Sequence, residues 1–271
     1  MTNFIRASML PAYTDCARRA AARQFRRLIE GKGFALRSIP PAVAAPMGTA
    51  MHKAIALMLR DRDFGPSPVS AALAAFRTEI APGCEWDDTS PKLDVAERQI
   101  TRMVESLHPI LRAMRPRLIE HPMRAVLARG WEASGSLDVE QDATLTDWKS
   151  GAMLRPYHAQ LGMYALLLRA NGEPCEAVRQ VYVPRVRLKK PQPAPLVQEY
   201  DVADCERAAE TTVEAVIRDT ERFQATGDPY SYPANPMSML CTQKYCPVWG
   251  TEFCTLHLPE KPKPEAPHDA T

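Results

Sequence analysis

The chain has 271 residues, of which 45% are hydrophobic and 24% charged, and its formal net charge is +2. This composition is ordinary for a soluble globular protein, and the length suits one large domain or two small ones. The small net charge gives no overall attraction to nucleic acid, so any such affinity must come from local clusters of basic residues. The sequence has no run of about 18 apolar residues and no basic stretch followed by an apolar core. We therefore expect no membrane span, no secretory signal and a cytoplasmic location.

Helical patterns fill most of the first 115 residues. We predict helices over 8–30, 47–60, 67–80 and 91–114, and a loop over the Pro- and Ala-rich segment 35–46. Helical spacing puts Arg19, Arg23, Arg26 and Arg27 on one face of the first helix, with Arg18 beside them. This face is either solvated or a patch that contacts phosphates.

The character of the sequence changes near residue 119. From there we predict strands over 119–128, 131–140 and 143–149, a helix over 157–170, strands over 177–183 and 196–202, and a helix over 203–225. This order predicts one mixed α/β domain with a helical N-terminal elaboration. The Pro-rich, polar segment 259–271 predicts a disordered tail.

The predicted hairpin of the second and third strands carries the closest grouping of candidate catalytic residues. Asp147 and Lys149 stand two apart on a strand and therefore face the same side, and Asp138 on the partner strand can reach that side. Carboxylate oxygens bind Mg²⁺ or Mn²⁺, and a bound metal with a nearby lysine suits phosphodiester hydrolysis. The alternative is an ordinary Asp–Lys ion pair on a surface hairpin.

Two further features favour a site. Gln160 and Tyr164 stand four apart and share one face of the helix that follows the hairpin. His52, in the second helix, offers a neutral imidazole that can act as a third metal ligand. Taken singly, each feature also fits a purely structural role. Gln160 and Tyr164 could belong to an amphipathic helix with a half-buried tyrosine, and His52 could be a structural histidine.

The order of four short segments resembles a known family. They are Gly48-Thr-Ala-Met-His52, Gly135-Ser-Leu-Asp138, Asp147-Trp-Lys149-Ser-Gly151 and Gln160-Leu-Gly-Met-Tyr164. The set is similar to the RecB-like branch of the PD-(D/E)xK nuclease superfamily, which includes the nuclease domains of RecB and AddB and the CRISPR-associated RecB-like exonucleases. The resemblance extends from Ser8 to Cys254.

The resemblance implies a restriction-endonuclease-like mixed β-sheet core flanked by helices. It implies a single RecB-like nuclease domain over 1–258, which consists of a mainly helical part (8–115), a nuclease core (116–227) and a C-terminal cysteine segment (228–258). The expected activity is metal-dependent hydrolysis of DNA, as an exonuclease in recombination, repair or phage replication. The expected partners are single-stranded DNA or duplex ends, and a helicase or recombination protein.

The resemblance also implies roles for individual residues. His52, Asp138 and Asp147 would hold Mg²⁺ or Mn²⁺ together with the backbone carbonyl of Trp148, and Lys149 would be the catalytic lysine. Many family members have glutamate where this chain has Asp147.

Three more positions follow from the same resemblance. Gln160 and Tyr164 would line the active site and contact DNA. Glu120 matches an upstream acidic residue of some relatives.

Cysteines near both ends of the chain suggest a second metal centre. Cys241, Cys246 and Cys254 follow one another with four and seven residues between them, and Cys16 stands alone near the N-terminus. Four thiolates fit either a tetrahedral Zn²⁺ or a [4Fe–4S] cluster. The spacing is looser than a two-residue zinc knuckle, which favours iron and sulfur. Buried free thiols remain the alternative.

The resemblance favours the cluster for these four cysteines, because several RecB-like nucleases carry one such cysteine before the nuclease core and three after it. The cluster would join the first helix to the C-terminal segment. His257 is a substitute for one ligand. We expect Cys84, Cys175 and Cys205 to be buried free thiols.

Two further hypotheses compete with the nuclease. One is a catalytically inactive nuclease-fold subunit that binds DNA within a larger complex, and the other is a zinc-stabilised binding protein. For any DNA-binding role, the arginine-rich first helix and the run of Arg185, Arg187, Lys189 and Lys190 would form a salt-sensitive track.

Overall fold

The computed structural model describes residues 3–86 and 90–257. The chain forms two compact units: unit 1 is Met1–Pro11 with Pro40–Ile217, and unit 2 is Ala12–Ile39 with Arg218–Thr271. The single domain over 1–258 and its internal boundaries stay a prediction, and the predicted tail over 259–271 lies outside the described residues. No described helix combines the length and apolar character needed to cross a bilayer.

The secondary structure follows the predicted order from the second helix onwards. The helices are α1 (Leu10–Asp15), α2 (Ala17–Gln24), α3 (Arg26–Gly31), α4 (Ala44–Asp61), α5 (Pro66–Ile80), α6 (Leu93–Ser106), α7 (His108–Ala113), α8 (His158–Ala170) and α9 (Val202–Thr226). The strands are β1 (Phe4–Arg6), β2 (Leu118–Val126), β3 (Glu132–Gln141), β4 (Thr144–Gly151), β5 (Ala177–Pro184) and β6 (Leu196–Tyr200).

Unit 1 is built on one mixed sheet in which β3 is central. Strand β2 pairs antiparallel with β3 along most of its length. At the other edge of β3, its first residues pair parallel with β1 and its last residues pair antiparallel with β4. The sheet continues through β5, parallel to β4, and β6, antiparallel to β5. The predicted mixed α/β core is therefore confirmed.

Helices cover this sheet because their apolar stripes need a partner surface. Residues of α4 to α7 form one buried cluster with Val139 of β3, Trp148 of β4 and Val181 and Val183 of β5. Helix α8 packs against β2, β3 and β4. The β3–β4 turn is tight, since Asp142 and its neighbour Ala143 both adopt positive φ, at 51° and 58°.

Three local predictions are wrong. The first helix is interrupted at Cys16, which is extended (φ −156°, ψ 101°), and again at Phe25. The amide that α2 leaves free at Arg18 donates to the carbonyl of Pro233, a distant partner that no local pattern reveals. The helix over 91–114 divides at Leu107, because Pro109 has no N–H with which to continue α6. Helix α4 begins at Ala44, inside the predicted loop.

Unit 2 joins the N-terminal helices to the C-terminal segment. Its core contains a cluster of aromatic rings, namely Phe34, Phe223, Tyr232 and Phe253. The hydroxyl of Tyr13 donates to Asp219 Oδ2 at 2.7 Å. The contacts of Phe34 with Phe223 and of Tyr13 with Asp219 link residues about 200 positions apart in the chain.

A glycine allows α8 and α9 to approach closely in unit 1. A Cβ at Gly162 would lie 1.9 Å from the backbone oxygen of Cys205 and 2.7 Å from the amide of Glu206. We therefore expect Gly162→Ala to lower the free energy of unfolding by about 3 kcal/mol, because backbone must shift to relieve the overlap. Chemical denaturation measures this change.

Gly48→Ala is the matched control, since Gly48 also lies in a helix but its added Cβ would meet only Ser150 Oγ, at 3.8 Å. This variant should be neutral or stabilised by up to about 1 kcal/mol, the helix preference for alanine. Equal destabilisation by both substitutions would contradict the close approach of the two helices.

Candidate active site

The site lies where β3 and β4 separate. Their antiparallel ladder runs from Gln141↔Thr144 to Val139↔Thr146 and stops there. One step further, Asp138 and Asp147 would face each other. Instead, the Asp138 carboxylate accepts a hydrogen bond from the Trp148 backbone amide, from N to Oδ2, at 2.7 Å. Asp138 thus satisfies an amide that the neighbouring strand no longer pairs.

Helix α4 adds His52 to the opening between the strands. Its Nε2–H donates to the Trp148 backbone oxygen at 3.0 Å. Its Nδ1 lies 3.3 Å from Asp138 Oδ1. The predicted metal ligand at the Trp148 carbonyl is therefore engaged as a hydrogen-bond acceptor for the histidine.

Glu120 of β2 completes a group of three. Its Oε1 lies 3.5 Å from His52 Nδ1, and ligand atoms of His52, Glu120 and Asp138 all lie within 4.8 Å of one another. Glu120 has φ 48°, a left-handed conformation that costs a non-glycine residue about 1 kcal/mol or more. Strain retained at a carboxylate is typical of functional positions.

Asp147 and Lys149 form the other half of the site. The Lys149 ammonium lies 2.9 Å from each carboxylate oxygen of Asp147, and its Nζ lies 4.8 Å from the centre of the Tyr157 ring. The Asp147 carboxylate is almost fully buried, and its Oδ2, although close to Lys149, accepts no well-aligned hydrogen bond from the described residues. Asp147 lies outside the group of three. No sequence pattern marks Tyr157 as part of the site.

The charges in this pocket shift one another's pKa. Burial alone would lower the pKa of His52, but the charge and hydrogen bond of Asp138 and the hydrogen bond of Glu120 raise it to about 10. Burial raises the pKa of Asp147 to about 6, although Lys149 opposes this shift. Burial also favours neutral Lys149, yet the charges of Asp147 and Asp138 hold its pKa above the ordinary value.

The pKa of Asp138 moves the other way. Burial would raise it, but the charge and hydrogen bond of His52, the charge of Lys149 and the Trp148 amide together lower it. Asp138 is therefore an anion held among cations.

These donors fit a hard divalent cation. Two carboxylates and an imidazole converge, and Oδ2 of Asp147 adds a buried acceptor that lacks a well-aligned donor. Oxygen ligands with one imidazole suit Mg²⁺ or Mn²⁺. A metal would need the neutral imidazole, so its binding would displace the proton that the carboxylates now favour on His52.

Helix α8 carries the two remaining predicted residues. Gln160 Nε2 donates to the Tyr164 hydroxyl at 2.9 Å, and both side chains are buried. Burial raises the pKa of Tyr164. The charges of Asp147 and Asp138 raise it further, and the charge of Lys149 lowers it. Gly135 of β3 lets the Tyr164 ring approach, because a Cβ there would lie 2.5 Å from the ring.

Unit 2 gathers the four predicted cysteines, and none of them forms a disulfide. Cys16, Cys246 and Cys254 are buried, and Cys241 is half-buried. Burial raises the pKa of Cys241 and of Cys246, and the neighbouring thiols of Cys16 and Cys254 raise both further. His257 Nε2 lies 3.3 Å from Cys241 Sγ.

The predicted basic track is only partly exposed. Arg18 and Arg19 are buried. Arg18 donates to the Tyr232 carbonyl, and Arg19 donates to Ser238 Oγ. The interpretation of these two arginines as phosphate contacts is therefore wrong, because their charges are used inside unit 2. Arg187, by contrast, is exposed in the loop after β5, as are the two lysines that follow it.

Comparison with known proteins identifies the class. Residues 7–251 match the family model described as the PD-(D/E)XK nuclease superfamily, and the chain belongs to this superfamily. Its mixed sheet flanked by helices is the restriction-endonuclease-like fold expected for that class. No protein of curated function matches the sequence.

Two solved structures are similar to this chain. A protein from Eubacterium rectale, whose assignment as an exonuclease is provisional, is 12% identical over 88% of this chain and 87% of its own, with a TM-score of 0.54. An alkaline exonuclease from Laribacter hongkongensis is 11% identical over 66% of this chain and 95% of its own, with a TM-score of 0.30. The first similarity shows a shared fold, and the second is too weak to support a structural inference.

The group of three gives a direct test of metal binding. We expect Glu120→Gln to weaken Mn²⁺ binding by about ten-fold or more, since even outer-shell partners of a metal contribute that much. Titration calorimetry measures the affinity. Asp142→Asn removes one carboxylate at the β3–β4 turn, where asparagine tolerates the positive φ, and should bind Mn²⁺ like the parent. Unchanged affinity in Glu120→Gln would exclude Glu120 as a ligand.

Proposed function

We propose that this protein is a metal-dependent deoxyribonuclease that hydrolyses phosphodiester bonds at DNA ends. The observation that carries the proposal is the partly buried cluster in which His52, Glu120 and Asp138 meet, together with the Asp147–Lys149 pair, whose charges act on His52 and Asp138. Membership of the nuclease superfamily supports the chemistry. The exonuclease assignment of the structure from Eubacterium rectale makes exonuclease action the mode to test first.

In this proposal each residue has a distinct task. His52, Asp138, Asp147 and Glu120 would hold Mg²⁺ or Mn²⁺, which neutralises developing charge and lowers the pKa of bound water. Lys149, kept protonated by its carboxylate neighbours, orients the attacking water and stabilises the charge on the transition state.

The polar pair on α8 would act next to this centre. Gln160 and Tyr164 hold each other by a hydrogen bond, and the charges of Asp147, Asp138 and Lys149 act on the Tyr164 hydroxyl. Their amide and hydroxyl groups would contact the DNA strand and fix the phosphate in register with Lys149.

The loop after β5 is a candidate track for the DNA backbone. Gln99 donates to the Val186 carbonyl, and Arg102 donates to those of Leu188 and Lys190. The loop is therefore held against α6 with its basic side chains exposed. Those side chains are free to neutralise phosphates in a salt-dependent way.

The cysteines of unit 2 would hold a [4Fe–4S] cluster that ties the chain ends together. Four sulfurs around one Zn²⁺ lie about 3.8 Å apart, given a Zn–S distance of about 2.3 Å. Among the described residues, the group around His52 is the only set of three or more Cys, His, Asp and Glu ligands within 4.8 Å of one another. No three of the four thiols therefore lie as close together as a single tetrahedral ion would hold them, which supports a multinuclear cluster over one ion.

We propose that the protein works in the cytoplasm. A reducing cytoplasm would keep all seven cysteines free, and the resemblance to the RecB and AddB nuclease domains suggests work in recombination, repair or phage replication. A helicase or recombination protein that exposes single-stranded DNA or duplex ends would be a suitable partner.

Removal of the Lys149 charge tests the catalytic proposal. We expect Lys149→Met to lower the Mn²⁺-dependent cleavage rate of end-labelled DNA by about 10²- to 10³-fold, because it removes one preorganised charge from the transition state. DNA binding in EDTA should be unchanged. Lys92→Met removes an exposed lysine ahead of α6 and should cleave like the parent.

Two outcomes would reject this mechanism. Full activity in Lys149→Met would exclude the lysine. Binding of DNA by the parent without any metal-dependent cleavage would favour the competing hypothesis of an inactive DNA-binding subunit.

A separate experiment tests the cluster. Anaerobically purified protein should contain iron and acid-labile sulfide, and Cys16→Ser and Cys246→Ser should lose both and unfold more easily, since metal binding is coupled to folding. Cys84→Ser replaces a half-buried cysteine of unit 1 and should keep them. Stoichiometric zinc without iron would contradict the cluster.

A further inference from the structure

Two exposed apolar side chains follow the strand that carries the Asp147–Lys149 pair. Strand β4, which carries Asp147 and Lys149, ends at Gly151, and the chain then forms a short loop to Tyr157 before α8. In this loop Met153 and Leu154 are 55% and 36% exposed. We call these two side chains the apolar tip.

The loop is held in place. The Gly151 carbonyl accepts hydrogen bonds from the Tyr182 hydroxyl at 2.7 Å and from the Arg185 amide at 2.8 Å. The Arg155 carbonyl accepts one from Gln180 Nε2, a buried side chain, at 3.0 Å. Donors of β5 and of the residue that follows it therefore fix the loop on both sides of the apolar tip.

The tip is also close to the catalytic strand. A Cβ at Gly151 would lie 3.8 Å from the backbone oxygen of Met153, so the chain folds back on the end of β4. At the far end of the loop, the Tyr157 ring lies against the ammonium of Lys149. The tip thus belongs to a segment whose last residue, Tyr157, contacts Lys149.

The loop after β5 is positively charged, whereas the tip is apolar. Arg185, whose amide bonds to Gly151, begins the stretch that exposes Arg187, Lys189 and Lys190. A DNA strand presents phosphates to cations and flat apolar base faces to apolar side chains. Methionine and leucine are among the apolar residues that insert between base steps, and a contact with a base face does not read sequence, because every base has such a face.

We infer that Met153 and Leu154 pack against the nucleobases of the DNA end while its phosphates enter the pocket. This inference rests on the proposed nuclease function and adds to it a base-contacting element. The ligand is the terminal unpaired stretch of a DNA strand, and bases of any sequence fit.

The test combines a side-chain change with removal of the bases. Three end-labelled oligonucleotides of equal charge are compared: one complete, one with abasic residues at its last three 5′ positions, and one with them at its last three 3′ positions. The parent should have a kcat/KM about ten-fold lower on the strand whose attacked end lacks bases, a smaller effect than the loss of three base–aromatic stacking contacts would have. The Met153→Gln, Leu154→Gln double variant should lose that preference.

Anisotropy in EDTA should give the same pattern for binding alone. The control is Met237→Gln with Leu93→Gln, since both positions are exposed, at 87% and 46%. This control should keep the ten-fold preference of the parent.

The outcomes separate the inference from the proposed function. If the parent cleaves all three strands at equal rates, or if the double variant keeps the preference, the tip does not contact bases and the nuclease proposal stands. If the parent cleaves none of them with Mn²⁺ or Mg²⁺, the proposed function itself fails.

Discussion

The structure of unit 1 depends on the burial of two carboxylates at the point where β3 and β4 separate. An isolated charge in such a place is strongly unfavourable unless it is paired and hydrogen-bonded. Asp138 is compensated by His52 and by the Trp148 amide, and Asp147 by Lys149. These compensating groups come from α4 and β4, so the packing of α4 on the sheet and the opening of the hairpin are parts of one arrangement.

The local elements of this arrangement could be predicted from the sequence. Alternation gave the β3–β4 hairpin, and spacings of two and four residues gave the shared faces of Asp147 with Lys149 and of Gln160 with Tyr164. Such patterns are reliable because they depend only on the periods of a strand and a helix. The structure also brings Asp138 and His52 together from distant positions in the chain. The family resemblance predicted that these two residues share a site, whereas strand and helix periods alone could not predict it.

Other features had no local signal. Glu120 joins the site through a positive φ within β2, a conformation that local propensity opposes. Cys16 is extended between two helices although the alanines and arginines that follow it are strong helix formers. A helical period puts Arg19 on the basic face with Arg18 beside it, but the partners of these two arginines, Tyr232 and Ser238, are more than 200 residues away.

Location of the metal by anomalous diffraction tests the central claim most directly. Crystals soaked in Mn²⁺ should give an anomalous peak bonded to His52, Glu120 and Asp138, with an oxygen of Asp147 turned towards it. Manganese bound only elsewhere, with the His52–Asp138 and Asp147–Lys149 pairs undisturbed, would contradict the account.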